Sequence, residues 1–347
     1  MGAVEGRSYR MVLRYHEQFG HWYVPNLRAY VPHERGYFVV TTNSLGMRSS
    51  RNYSPQAPAG VTRLLLFGDS YTAGEGVNND ERFSDRLESL VEGLEVLNFG
   101  LNGSGPEQQW LVFDQLADAF GGGLIVWCPQ VENIRRVTLQ WWPALDRETG
   151  RLLAVPKPYG VVRDGRFEVQ GVPVSRQRLR FEDAPEAFRS QFQLDGSSRS
   201  FRAEVAARLP ERVKPIVQRL TRYQPYPQYD DNQTPEWQAI RAIAIRFLQR
   251  AQGRAVVIAP LPNFYYIEGR SQPTYLTRYQ ELARECPALH LIDVLPHFRA
   301  LAPSGRRACR YPHDVHYTPL GHAVAARALV TELRAHGLLG HEETVSG

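Results

Sequence analysis

Two short stretches at opposite ends of the sequence carry residue types suited to nucleophilic chemistry. Near the start, Arg63-Leu64-Leu65-Leu66-Phe67 runs straight into Gly68-Asp69-Ser70-Tyr71, and near the end stands Tyr311-Pro312-His313-Asp314-Val315-His316. A hydroxyl is a poor nucleophile until a base takes its proton, and the base needs a carboxylate to orient it. Residues two apart in an extended loop point to the same side. Asp314 can therefore fix the His316 imidazole, leaving His316 to take the proton of Ser70. His313 is the alternative base, but it would lie on the opposite side of such a loop. Gly, Asp and Ser are common turn formers, so the first stretch alone reads equally well as a plain strand-to-helix turn. The far end of the chain is what completes the serine. His322 is expected to begin the last helix rather than join the chemistry.

Attack on an acyl carbonyl also needs donors for the developing oxyanion. Three candidates lie just beyond the ends of predicted strands and would gather on one rim of a sheet. They are the Ser70 N–H, the Gly103 N–H within Gly100-Leu101-Asn102-Gly103-Ser104-Gly105, and the Asn133 side-chain amide. Gly100 and Gly105 are rivals to Gly103, because any glycine lets backbone approach a ligand closely. Arg135 and Arg136 follow Asn133 and are candidates for an anionic substrate group, with solvated surface as the equal alternative. Tyr71, Phe264 and Tyr265 are candidates for lining a substrate pocket, against the alternative of core or cap packing.

These residues need a scaffold that brings both ends together. A short apolar run at 63–67 predicts a buried strand. Phe83, Leu87, Leu90 and Val91 then predict a one-faced helix, residues 94–99 a second strand, and Pro106 the first turn of a helix carrying Trp110, Phe113 and Leu116. Residues 124–128 form a third apolar run. The alternation resumes with a helix on Trp237, Ile240, Ile243 and Phe247, a strand at 255–259, a helix at 274–286, a strand at 289–295 and a last helix at 322–339. Alternating strands and helices predict a parallel sheet covered on both sides.

Three regions fall outside that alternation. Residues 1–60 are rich in aromatics and turn formers, with one short strand at 36–42, and read as an N-terminal extension packed on the main domain. Residues 141–235 are too long and varied for a βα connection and read as an inserted cap or lid. Within the cap, Asp164-Gly165 marks a hairpin, and Phe181, Phe188, Phe201, Leu209, Val213, Ile216 and Leu220 argue against a disordered linker. Residues 341–347 read as a flexible tail. The core is thereby divided into residues 61–140 and 236–340.

Composition narrows the function classes. At 347 residues, 43% hydrophobic and 22% charged, the chain has the make-up of an ordinary globular enzyme. No apolar run reaches the ~18 residues of a membrane span, and no apolar leader follows the N-terminus. Three scattered cysteines, Cys128, Cys286 and Cys309, form neither a metal pattern nor a disulfide framework. A cytoplasmic location is expected from both observations. The net charge of +5 is carried almost wholly by arginine, which suits planar anions. No basic run interleaved with aromatics points to nucleic acid.

The chain resembles the SGNH (GDSL-like) hydrolase superfamily. Gly68-Asp69-Ser70-Tyr71 looks like its first block, Asn98-Phe99-Gly100-Leu101-Asn102-Gly103 its glycine block, Val131-Glu132-Asn133 its asparagine block and Asp314-Val315-His316 its last. The resemblance covers roughly residues 61–136 and 254–335. The opening segment, with Pro25-Asn26 and Asn43-Ser44-Leu45-Gly46-Met47-Arg48, is similar to the longer bacterial branch. The resemblance implies a flavodoxin-like three-layer α/β/α sandwich with a parallel sheet, acyl chemistry without a metal or other cofactor, and site roles for Ser70, Gly103, Asn133, Asp314 and His316. The asparagine block lacks the family's glycine and second acid. The last block has one residue between acid and base instead of two, a spacing similar to the alginate-type O-acetyltransferases of the same superfamily. The expected function is therefore an acyl-ester hydrolase acting through an acyl-Ser70 intermediate on a small molecule, sugar or natural product. An acyltransferase drawing on acyl-CoA or an acyl-carrier protein is the alternative, and a non-catalytic binding protein is the third reading.

Overall fold

The computed structural model describes residues 12–146, 149–163, 166–192, 218 and 223–340. The tail at 341–347, the Asp164-Gly165 turn and the apolar positions Phe201, Leu209, Val213, Ile216 and Leu220 lie outside the described residues.

Five parallel strands form the central sheet: β1 Thr62–Gly68, β2 Leu94–Asn98, β3 Leu124–Cys128, β4 Val256–Ile258 and β5 Leu289–Leu291. Their order is β2-β1-β3-β4-β5, with Leu65 between Leu97 and Ile125 in register. This is the flavodoxin-like order, and it reverses direction between β1 and β3. Open α/β sheets bind ligands beyond the carboxyl ends of their strands at that reversal. Ser70 follows β1 by two residues and Asn133 follows β3 by five, so the topology alone carries both to the crevice.

The covering helices are α1 Phe83–Leu90, α2 Pro106–Leu116, α3 Pro235–Arg250, α4 Thr274–Glu285 and α5 Pro319–Ala335. Right-handed crossovers running in opposite directions along the sheet put α1 and α2 on opposite faces. Helix α1 packs with α5, and α2 with α3. Leu64, Leu65, Leu66 and Phe67 of β1 are all fully buried, each contributing about 1.5–3 kcal/mol relative to exposure. The Phe67 ring stacks on Phe99 at 4.9 Å and meets Phe113 of α2 and Phe247 of α3 edge-on at 5.2 and 5.9 Å. Helices α2 and α3 thus hold the strand that delivers Ser70 from one face, and the burial of four successive side chains shows that its other face is covered too.

The boundaries differ most from the sequence reading at the fifth strand and at the last helix, which also ends at Ala335 rather than 339. The expected strand at 289–295 stops at Leu291, because the Asp293 side chain accepts the Leu295 N–H at 2.9 Å and Pro296 starts a helical turn, Leu295–Arg299. The last helix begins at Pro319 rather than His322: the Thr318 hydroxyl accepts the Gly321 N–H, and proline fits the first helical position. His322 is consequently inside the first turn, fully buried, and its Nδ1 accepts the Phe83 N–H at 3.2 Å.

The N-terminal extension is more ordered than one strand. It holds two antiparallel hairpins, Leu13–His16 with Gly20–Tyr23 and Arg28–His33 with Gly36–Thr41, and their buried side chains join the main core. In the insert, Trp141–Leu145, Leu152–Pro156 and Leu179–Arg180 form an antiparallel sheet, and Tyr159–Arg163 pairs with Arg166–Gln170 as a hairpin. Among the described residues no helix is long and apolar enough to cross a membrane, and the three cysteines are unpaired.

Candidate active site

Ser70 opens a single helical turn, Ser70–Ala73, on which the Asp69 carboxylate accepts the Tyr71 N–H at 3.0 Å and Gly74 ends the turn in the left-handed region. The turn packs so closely on β1 that a Cβ at Gly68 would lie 2.0 Å from the Thr72 hydroxyl oxygen. Ser70 Oγ sits 2.7 Å from His316 Nε2, and His316 Nδ1 is hydrogen-bonded to Asp314 Oδ1. A carboxylate only accepts, so Nδ1 carries the proton and Nε2 is left to accept from the serine hydroxyl. The same Asp314 oxygen accepts the His316 backbone N–H at 3.0 Å. The Tyr71 hydroxyl donates to the Val315 carbonyl at 2.8 Å, with its ring 4.9 Å from that of His316. The two ends of the chain are tied together at the nucleophile.

The acid has a second partner that the sequence did not announce. His33, at the end of an N-terminal strand, places Nε2 3.3 Å from Asp314 Oδ2. Its ring packs edge-on against Tyr311 at 4.4 Å, while Glu34 accepts the His313 N–H at 3.0 Å. The hairpin therefore grips the last loop at Tyr311, His313 and Asp314. Burial pushes the Asp314 carboxyl up, but the hydrogen bond and charge of His316 outweigh it and hold the carboxyl down to about 2. Burial likewise lowers His316, yet Asp314, helped by Glu75 and Asp69, brings it above its ordinary 6.5.

Asn133 lies in a buried relay whose direction follows from chemistry. An indole N–H can only donate, so Trp127 Nε1, 2.7 Å from Gln109 Oε1, fixes the Gln109 amide. Gln109 Nε2 then donates to Asn133 Oδ1 at 3.0 Å, and Asn133 Nδ2 donates to Asp69 Oδ2 at 2.8 Å. The second hydrogen of Nδ2 remains for an external acceptor. Burial raises the Asp69 carboxyl, against the charge of Arg136 and the bonds from Asn133 and Tyr71.

Three groups hold the glycine loop through Asn102. His21 Nε2 lies 2.6 Å from its carbonyl, the Tyr23 hydroxyl donates to Oδ1 at 2.9 Å, and Nδ2 donates to Glu75. Gly103 adopts φ +72°, with open space where a Cβ would be. The Gly100 N–H is taken by Asn98 Oδ1 at 2.8 Å and the Gly105 N–H by Gln108 Oε1 at 3.0 Å. Among the described residues the N–H groups of Gly103 and Ser70 donate to no protein acceptor.

The other sequence candidates lie apart from this cluster or behind it. Tyr71 is buried beneath His316. Arg136 packs over Trp142 at 4.7 Å and reaches Glu132 at 3.4 Å. Arg135 donates to the Pro225 carbonyl and covers Tyr226 at 4.8 Å. Phe264 and Tyr265 pack on each other at 4.2 Å, with Arg310 over Phe264. His313 is exposed. The sequence reading missed His33, Glu75, Gln109, His21 and Tyr23. All of them act through a neighbour, and none stands in a spacing that announces chemistry. Among the described residues no three His, Cys, Asp or Glu side chains cluster as metal ligands.

No protein-family model and no curated protein matches the chain. Solved structures similar to it include a lipolytic protein of the G-D-S-L family from Veillonella parvula, at 11% identity over 78% of this chain and 97% of that one, with a TM-score of 0.39. A lipase/acylhydrolase from Enterococcus faecalis shares 12% over 82% and 100%, with a TM-score of 0.38. An acetylxylan esterase from Geobacillus stearothermophilus shares 14% over 80% and 96%, with a TM-score of 0.39. At these identities the functional reading rests on the site's own geometry.

Proposed function

We propose that the chain is a serine-dependent acyl-ester hydrolase of SGNH type. The observation that carries the reading is the hydrogen-bonded line from Ser70 Oγ through His316 to Asp314 at the sheet's reversal point. His316 Nε2 takes the hydroxyl proton as Oγ bonds to the ester carbonyl carbon. The oxyanion so formed is met by the N–H groups of Ser70 and Gly103 and by the free Asn133 Nδ2 hydrogen. Collapse breaks the ester bond, and the proton on His316 passes to the leaving alkoxide, leaving an acyl-Ser70 ester. Water then gives a proton to His316 and its hydroxide to the acyl carbon, and the reverse collapse frees the acid and restores Ser70. Asp314 stays ionised throughout and holds the imidazolium.

The His316 side chain is 20% exposed, the access an accepting water needs in the second step. Acylated sugars and other small acyl esters are the substrates this reading implies. Mass analysis of products from a simple ester, with and without a polyol acceptor, tests it. Free acid formed at the same rate in both supports hydrolysis. Acyl transfer to the polyol with little free acid points instead to a transferase, and no turnover of any ester overturns both.

A further inference from the structure

A cavity of about 450 Å³ opens where the N-terminal hairpin, the Asn102-Gly103 loop and the inserted sheet meet, a size typical of small-molecule sites. Of the candidate site residues Gly103 lines it, whereas Ser70, Asn133 and His316 do not, and the wall is apolar, made by Leu13, Tyr15, Trp142, Val155 and Pro156. Among the described residues the charged lining is one-sided: Arg14, Lys157, Arg176 and Arg178, with no aspartate or glutamate. Lys157 is already committed, its ammonium bound to Glu107 and to the carbonyls of Arg136, Leu139 and Pro158 at 3.0, 3.0 and 2.8 Å. The three arginines are exposed, and no described carboxylate pairs with them; Arg176 only covers the Tyr15 ring at 4.2 Å. Some surface arginines are matched, as in Arg51 with Glu88, Arg241 with Glu285 and Arg250 with Asp114 and Asp118, whereas Arg284, Arg307 and Arg327 are exposed and also pair with no described carboxylate; what sets the cavity apart is that three such arginines share one lining.

We infer that this cavity is the substrate cleft and that it selects esters bearing a carboxylate or another compact anion. The anion pairs with Arg176, Arg178 and Arg14 at the mouth, where guanidinium forks match it. The ester's apolar or ring body lies against Trp142, and its carbonyl reaches Gly103. The inference rests on the acyl-ester reading of Ser70 and adds the substrate's charge.

The test compares kcat/KM for matched ester pairs. One arm sets a hemiglutarate ester against its methyl-capped twin, placing the charge on the acyl side. The other sets an acetyl ester of a carboxylated sugar against its amide twin. At about 20 mM salt the charged member of at least one pair should be preferred about five- to ten-fold, the scale of exposed ion pairs acting together. The preference should fall to about one in Arg176→Gln/Arg178→Gln and shrink at about 0.5 M salt. Equal rates within both pairs, or a preference that the double variant keeps, would overturn the cleft. Labelling of Ser70 by a neutral fluorophosphonate separates the two levels. Labelling without charge preference removes the cleft alone, whereas failure of the wild-type protein to label removes the acyl-ester reading beneath it.

Discussion

Asp69→Asn is the most revealing substitution in the relay because it keeps shape while removing the charge and changing hydrogen-bond sense. The carboxylate uses one oxygen for the Tyr71 N–H and the other for Asn133 Nδ2. An amide has one oxygen and one NH2, so one of those two donors must face another donor. Asn133 cannot escape by flipping, since its NH2 would then meet the Gln109 NH2, itself fixed by Trp127. A hydrogen bond to a charged acceptor is worth about 1.5–3 kcal/mol. At about 1.4 kcal/mol per decade of rate, loss of Asn133 alignment in the transition state should lower kcat about 10- to 150-fold. KM should change little, because the oxyanion forms only in the transition state. Burial already opposes the Asp69 charge, which offsets part of the cost of the mispaired donor, about 1–3 kcal/mol, so the neutral variant should still fold, with a lowered melting temperature. Steady-state kinetics on a p-nitrophenyl ester with a parallel thermal melt reads both. A stable Asp69→Asn protein with kcat within about three-fold of wild type would refute the relay argument.

Removing the Asn133 amide itself, as Asn133→Ala, should cost about 10²–10³ in kcat, and a smaller loss than in Asp69→Asn would contradict its place in the oxyanion site. The pH profile follows from His316: the base works only when neutral and its pKa lies above 6.5, so kcat/KM should rise with pH through a midpoint above 6.5. Glu75 stabilises the imidazolium, so Glu75→Gln should move that midpoint to lower pH; a move upward refutes the sign. Linkage runs both ways: the stabilisation from His316 is complete below about 6.5 and lost as pH rises through its folded pKa. That from Asp314 is present above about 3.8 and lost as pH falls toward about 2. His33→Ala should lower kcat about ten-fold with little change in KM, and His33→Gln, which still offers a donor to Asp314, should recover most of it. Equal losses in both variants would reduce His33 to packing.

The sheet was legible because the apolar runs at 64–67 and 124–128 are uninterrupted, as a doubly covered parallel strand requires, and the run at 94–97 is broken only by Glu95. The Ser70, Asp314 and His316 geometry was approachable for a similar reason, since a two-residue spacing in a loop has direct geometric meaning. The strand predicted at 289–295 ran too far because apolar letters at 292, 294 and 295 outweighed Asp293, whose side chain turns to accept the Leu295 N–H just ahead of a helical turn. The N-terminal hairpins were obscured by aromatics that read as turn-rich packing. Their importance lies in contacts to residues nearly 300 positions away, such as His33 to Asp314. Gln109 was invisible for the opposite reason: it stands on the buried face of a helix, where a glutamine carries no spacing signal, and only its partners, Trp127 above all, give it direction.

The central claim is that Ser70 becomes acylated. Intact-mass measurement after treatment with a neutral fluorophosphonate, followed by peptide mapping, tests it most directly. The account predicts one stoichiometric adduct, mapped to Ser70, absent in Ser70→Ala and slowed in His316→Ala. An unmodified protein, or an adduct that persists in Ser70→Ala, would contradict it.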